Sequence, residues 1–344
     1  MTILLSICIP TLNRAAFIGE TLDSIIPQLN DETEVVIVDG GSCDGTDAVV
    51  ASRASRCSHI RYQLSQHLVE GDAKPSNAGY DRDCDHCIAT ARGRYCWILP
   101  DDDLLVPDAI TTILQYLNAD LALIVANAQI RDRNVKQVLA TKILLLENDE
   151  RFVRGTADRL FARVGLYLTY AGGVIVRRDF WMKRSRETYY GTGFVHMAVL
   201  FQDPSDLDAL VIARPLMLIR YGNAHWTDRT FQLWMFDFPR LVWSFPLGDS
   251  AKRAVTLREP WKRLKTLLLY RGKGLYSQKE YRRLRNEAGL VGFARMWPWL
   301  VAHMPAPVVN QVLLTWFRWR RGVSSTVYQD FHNAPVNPFR DRLV

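Results

Sequence analysis

Residues 34–46, Glu34-Val35-Val36-Ile37-Val38-Asp39-Gly40-Gly41-Ser42-Cys43-Asp44-Gly45-Thr46, decide the fold. A run of Val and Ile without polar alternation is the signature of a strand buried on both faces. The small-residue loop that stops it leads into a helical pattern over residues 47–55. Upstream the same scheme has already occurred once. An apolar run at residues 4–10 ends at Pro10-Thr11-Leu12-Asn13, and residues 15–29 then place Phe17, Ile18, Leu22, Ile25 and Ile26 at helical spacing. Downstream, strands are expected at residues 60–64 and 95–99 with a helix over 81–92 between them, followed by a helix over 108–117 and a buried strand at 121–126. This alternation predicts an α/β fold built on a mostly parallel, doubly wound sheet. Such sheets bind ligands at the carboxyl ends of their strands, here Pro10-Thr11, Asp39-Gly40-Gly41 and Pro100-Asp101-Asp102-Asp103.

After Arg131 the pattern loosens, and the 344 residues exceed one average domain. Two regions are expected: residues 1–240, with a donor-side half (1–130) and an acceptor-side half (131–240), and a mainly helical, basic, aromatic extension over 241–344. Hydrophobic residues make up 48% and charged residues 23%, which excludes a disordered chain. Residues 251–344 hold 18 Lys and Arg against 5 Asp and Glu, so this tail alone makes the protein basic. All six cysteines lie in the first hundred residues, in a chain far larger than disulfide scaffolds; they read as reduced thiols in the cytoplasm. The start runs straight into a strand pattern without a basic n-region, so no signal peptide is expected.

Ile98-Leu99-Pro100-Asp101-Asp102-Asp103 carries the strongest chemical signal. Adjacent carboxylates repel unless a cation neutralises them, and hard divalent ions such as Mg²⁺ or Mn²⁺ take oxygen ligands together with substrate phosphates. The bland reading is a solvated loop whose last Asp caps the next helix. The position at a strand end favours the metal.

In four places, in order over roughly the first 130 residues, the chain resembles the family 2 glycosyltransferases of the GT-A fold. Residues 6–14 are similar to that family's first strand and donor loop, and residues 35–46 to its second strand and acidic loop, with Gly40 where a second Asp is usual. Asn77-Ala78-Gly79-Tyr80-Asp81-Arg82-Asp83 is the third similarity. Pro100-Asp101-Asp102 falls on the metal motif, whose first Asp is replaced by Pro100. Gly-Tyr-Asp-Arg followed by a Tyr-Cys-Trp strand looks most like the O-antigen dideoxyhexose transferases, abequosyltransferases among them.

The resemblance implies a nucleotide-diphosphate sugar donor. Asp39 would hydrogen-bond the base, Pro10 and Thr11 would line its pocket, and Asn13, Gly41, Ser42, Asp81 and Arg82 would belong to the donor site. Asp102 would be the direct metal ligand, with Asp101 on the sugar or ribose and Asp103 in support. Breaking the sugar–diphosphate bond leaves negative charge on the phosphate, which a divalent ion and nearby cations stabilise; Arg14 and Arg82 are the candidate helpers. Either Arg is equally readable as the surface partner of a local Asp. An inverting transferase also needs a base for the acceptor hydroxyl. The family's usual Glu-Asp pair is absent, and His196 is the candidate, with Glu187 and Asp203 as rivals; a hydrogen-bonded core histidine is the alternative reading of His196. In Arg220-Tyr221-Gly222-Asn223-Ala224-His225-Trp226, His225 is the candidate that completes the metal site. Cys84-Asp85-His86-Cys87 lacks a second Cys pair and lies in an expected helix, which argues against zinc.

Residues 296–317 run without a formal charge, long enough to span a bilayer, but Pro298, Pro305 and Pro307 break the run. Trp297, Trp299, Trp316 and Trp319 with flanking cations fit an interfacial segment on an anionic membrane. The alternative is an element that packs an oligomer interface or covers the catalytic domain. The expected activity is transfer of a hexose or deoxyhexose to a saccharide acceptor, lipid-linked, on the inner face of the plasma membrane, with no nucleic acid involved. A sugar-phosphate nucleotidyltransferase would instead carry a Gly-rich phosphate loop after the first strand, which here reads Pro-Thr-Leu-Asn-Arg. A non-catalytic membrane-binding adaptor draws support from the altered metal motif alone.

Overall fold

The computed structural model describes residues 2–65, 77–222, 229–323 and 325–339. It divides into two compact units: residues 1–131, 141–220 and 241–255, and residues 132–140, 221–240 and 256–344.

The first unit contains the expected alternation: β1 (Leu5–Thr11), α1 (Ile18–Ile25), β2 (Thr33–Asp39), α2 (Thr46–Ala54), β3 (Ile60–Leu64), α3 (Asn77–Thr90) and β4 (Tyr95–Ile98). The short β5 (Leu104–Leu105), α4 (Ala109–Tyr116), β6 (Leu123–Arg131), β7 (Glu150–Phe152), α5 (Ala157–Val164), β8 (Val174–Arg177), α6 (Val195–Phe201), β9 (Ala209–Arg220) and α7 (Asp249–Val255) follow. The sheet order is β3-β2-β1-β4-β8-β6-β9-β5, with β7 beside β9. β1, β2, β3 and β4 are parallel neighbours, as are β6 and β9, while β8 runs antiparallel between β4 and β6. Every residue of β1 and β2 is buried, which is why both read as continuous apolar runs. The register sets Thr11 beside Asp39, so the two loops carrying the donor-site candidates leave the sheet together.

The expected boundary at residue 240 shifts, because residues 241–255 pack in the first unit. Phe245 meets Phe161 edge-on at 5.8 Å and Phe201 at 5.9 Å, and the Gly248 amide donates to Asp158 Oδ1 at 2.9 Å. Four thiols, Cys8, Cys84, Cys87 and Cys96, are fully buried in this unit, and burial pushes Cys8, Cys84 and Cys87 upward; Cys43 is exposed and Cys57 half-buried.

The second unit is helical, as expected of the tail: α8 (Leu264–Gly272), α9 (Gln278–Glu287), α10 (Met296–His303), α11 (Ala306–Arg321) and α12 (Thr326–His332). Phe231, Trp261, Leu267, Tyr276 and Leu284 belong to its core, with Tyr276 stacked on Phe231 at 4.9 Å. Buried Asn310 on α11 donates to the carbonyls of Gly272 and Phe331, both at 2.9 Å, and so ties α8, α11 and α12 together. The prolines break residues 296–317 as expected: α10 ends at His303, and α11 starts after Pro305. No helix among the described residues is long and apolar enough to cross a membrane.

Candidate active site

At the ends of β1 and β2, side chains and backbone lace two loops into one platform. Asn13 sits in the left-handed region at φ 55°, which Asn tolerates. Its amide donates to Ser42 Oγ at 2.8 Å, and its Oδ1 accepts from the Cys43 amide at 2.9 Å. The Arg14 amide donates to Thr46 Oγ1 at 2.9 Å, and the Ala15 amide to Asp44 Oδ2 at 3.0 Å. Gly41, at φ 95°, lets the loop turn back over Asp39. Asp39 is fully buried. Its Oδ1 accepts from the amides of Gly41 and Ser42 at 2.9 and 2.7 Å, and its Oδ2 from the Tyr62 hydroxyl at 2.7 Å. Asn13, Ser42 and Asp39 therefore act here as fasteners of the platform. Pro10 and Thr11 are buried beneath them.

The acidic loop after β4 stands beside this platform. Arg14 bridges to it, with Nε 3.3 Å from Asp101 Oδ1 and Nη2 3.8 Å from Asp102 Oδ2, while Nη1 is buried without a hydrogen-bond partner among the described residues. Asp101 and Asp103 are 8% and 2% exposed, and burial followed by the Asp102 charge raises them to about 7 and about 8. Asp103 is held from two sides: the Tyr170 hydroxyl donates to Oδ2 at 2.5 Å and the Arg220 amide to Oδ1 at 2.8 Å. With both its oxygens taken up this way, Asp103 works as a support. Arg220 also donates from Nε to the Asp102 carbonyl at 2.9 Å and pairs with Glu20 at 2.5 Å. Sequence reasoning gave Arg220 no role. Its signal was an Arg closing an otherwise apolar run, Leu216-Met217-Leu218-Ile219.

Asp102 is the carboxylate of this loop that pairs with Arg14 at the longer distance. Among the described residues no group of three or more His, Cys, Asp or Glu gathers as a complete ligand cage. A hard cation bound through substrate phosphates needs only one or two carboxylates, and Asp101 and Asp102 supply carboxylates at this strand end. His225 lies outside the described residues.

Helix α3 supplies the third wall. Buried Asp81 accepts from the amides of Gly191 and Gly193 on Oδ2, both at 2.8 Å, and from the Val195 amide on Oδ1 at 3.1 Å. Burial raises Asp81 to about 6, and these amides pull the other way. Its oxygens hold the segment before α6. One turn on, Asp85 Oδ1 accepts from Trp181 Nε1 at 2.7 Å and pairs with Arg186 Nε at 2.8 Å; its Oδ2 accepts from the Tyr190 hydroxyl at 2.5 Å. Arg82 lies over the Tyr190 ring at 5.8 Å.

The three base candidates separate by environment. His196 is 1% exposed, its Nε2 lies 2.8 Å from the Leu168 carbonyl, and burial pushes it down to about 4. A buried, neutral imidazole tied to backbone cannot reach an acceptor hydroxyl, so His196 is a core histidine. Exposed Asp203 pairs with Arg184 at 2.9 Å and accepts from the Ser205 amide, which holds its carboxyl low. Glu187 is exposed on the helical turn Glu187–Tyr189, within the segment that Asp81 and Asp85 hold.

The sequence profile for glycosyl transferase family 2 matches residues 6–181. Abequosyltransferase RfbV of Salmonella typhimurium is 27% identical over 242 residues, 64% of this chain and 67% of that protein. The GalNAc(5)-diNAcBac-PP-undecaprenol beta-1,3-glucosyltransferase of Campylobacter jejuni is 30% identical over 203 residues, 58% of this chain and 60% of that one. Among solved structures, S. aureus TarS 1–349 in complex with UDP aligns over 99% of this chain and 92% of its own, with a TM-score of 0.53 at 13% identity. The mannosyltransferase PcManGT from Pyrobaculum calidifontis, in complex with GDP-Man and Mn²⁺, covers 91% and 88% with a TM-score of 0.50 at 16% identity. At these identities the structures share the GT-A fold with this chain.

Proposed function

Because the chain belongs to glycosyl transferase family 2, we propose that it moves a sugar from a nucleotide-diphosphate donor to a hydroxyl of a lipid-linked saccharide during surface-polysaccharide synthesis. The observation that carries this reading is Arg14 reaching both Asp101 and Asp102 across the ends of β1 and β4, with one guanidinium nitrogen left over. That arrangement supports Arg14 as the fixed cation beside a diphosphate leaving group as it gathers charge. Asp102 would hold a Mn²⁺ or Mg²⁺, which when bound supplies Lewis-acid stabilisation of the departing phosphate. Asp101 faces the sugar or ribose, Asp103 and Arg220 keep the acidic loop in place, and Glu187 takes the acceptor proton. The names of the two relatives support a deoxyhexose or hexose donor and an undecaprenol-type acceptor. Exposed Phe293, Trp297, Trp299 and Trp319 on the basic second unit support docking on an anionic membrane from its inner face.

A panel of CDP-, UDP-, GDP- and dTDP-sugars with Mn²⁺ or Mg²⁺ tests the reading. Release of the nucleoside diphosphate from one donor, abolished by Asp102→Ala and by a chelator, is the expected result. Full turnover with a chelator present removes the metal, and no turnover with any donor removes the activity.

A further inference from the structure

Helix α3 presents Asp81 and Asp85 one turn apart, hence on the same face. Between them they take hydrogen bonds from the Gly191, Gly193 and Val195 amides, Trp181 Nε1 and the Tyr190 hydroxyl, together with the ion pair from Arg186. Every one of these partners lies within residues 181–195. That segment needs external support, because Gly191 and Gly193 sit at φ 89° and 75° and the turns around them form no sheet ladder. The same helix reaches the donor platform on its other side, where Asp83 accepts from Ser65 Oγ and lies against Gly40. One rigid element thus touches both the end of β2 and the segment carrying Glu187.

We propose that Asp81, assisted by Asp85, is a positioning residue of the transfer step, fixing residues 187–195 so that Glu187 stands at a set place relative to the donor. The proposal rests on the assignment of Glu187 as the acceptor base. The carboxylate suits the task for a stereochemical reason. Three amides point at two oxygens from one side, and an amide side chain in the same place would turn an N–H₂ group against at least one of them. Misplacing a reacting group by about 1 Å costs on the order of 10²-fold in rate, so loss of the clasp is read in kcat while the donor platform keeps its nucleotide.

The experiment compares wild type, Asp81→Asn, Tyr190→Phe, Glu187→Gln and the double variant Asp81→Asn with Glu187→Gln. Four quantities are measured: transfer to acceptor, hydrolysis of the donor by water, affinity for the nucleoside diphosphate of the donor that the panel identifies, and hydrogen exchange at the amides of residues 191, 193 and 195. For Asp81→Asn the expected result is a fall in transfer kcat of about 10²-fold, nucleoside-diphosphate affinity and donor hydrolysis within about threefold, and faster exchange at those three amides. Tyr190→Phe, which removes one bond, should show a smaller effect of the same kind. Glu187→Gln should add little on top of Asp81→Asn, because both remove the same function. Nucleoside-diphosphate affinity falling in step with transfer would return Asp81 to the donor site and overturn the proposal, as would additive losses in the double variant. If wild type transfers normally and Glu187→Gln is harmless, the assignment of the base fails instead. The exchange data then report on the clasp alone.

Discussion

Gly40, at the end of β2, has little room for a side chain. A Cβ there would lie 3.0 Å from Asp83 Oδ2 and 3.6 Å from the Thr11 carbonyl. Restoring the acid with Gly40→Asp would press a second buried carboxylate against Asp83. We expect a loss of about 1–3 kcal/mol by denaturant unfolding, with Gly40→Ala losing less because it adds bulk without charge. Asp101 makes a second expectation, about pH. Its folded-state value is raised from 3.8 to about 7, chiefly by burial, so its contribution to stability is complete below pH 4 and disappears as pH rises through 7. Asp101→Asn should therefore raise Tm over wild type at pH 8, have little effect at pH 4 and lower activity throughout; an equal shift at both pH values would contradict this. Residue types were legible at this scale, but their uses were not. Asp39, Asn13 and Ser42 are named by their motif, yet only the fold tells which oxygens the loops have already taken. Asp81 is assigned to the donor site by resemblance, and nothing local marks the partners of Asp81 and Asp85 roughly a hundred residues away.

Among the elements, α9 is the one whose start is written in full. Ser277 Oγ accepts from the Lys279 amide at 3.1 Å, and Glu280 Oε2 accepts from the Ser277 amide at 2.9 Å, a reciprocal capping box. Ser277→Ala should cost about 1 kcal/mol in the unfolding free energy, with Ser277→Asp losing less; no loss in Ser277→Ala would mean the second unit holds this helix by packing alone. β1 and β2 could be read to within a residue or two because burial on both faces leaves a near-continuous apolar run. β8 could not, since Val174-Ile175-Val176-Arg177 is too short to stand out and earns its place only by pairing with β4 and β6. The break in the 296–317 run was legible for a local reason: proline lacks the amide that a continuing helix needs.

For the whole molecule, charge and apolar surface gather in the second unit. Val291, Phe293 and Trp319 are 68%, 89% and 80% exposed, and a cavity of about 470 Å³ is lined by Tyr281, Gly292, Phe293, Arg295, Met296 and Trp299. Each Lys or Arg near an anionic surface contributes only about 1 kcal/mol, so binding needs the aromatic term as well. Phe293→Ala with Trp297→Ala should weaken sedimentation with anionic vesicles at every salt concentration, while high salt alone should weaken wild type without abolishing its binding. A protein that ignores such vesicles at low salt would make this surface a protein interface instead. The split of the chain into two regions was legible from charge, whereas the recruitment of residues 241–255 to the first unit was not, because it depends on Phe245 finding Phe161 and Phe201.

The buried thiols give the first unit a built-in clock. Cys8, Cys84, Cys87 and Cys96 meet solvent only when their surroundings come apart, while Cys43 and Cys57 stand at the surface. A thiol-alkylating reagent at mildly alkaline pH should therefore tag two positions at once and the other four together, at the pace of opening. Mass spectra taken over hours would follow that pace without any engineered probe. Saturating nucleotide should slow the late tags and leave the early pair untouched, so that donor occupancy could be timed in a protein whose acceptor is not yet in hand.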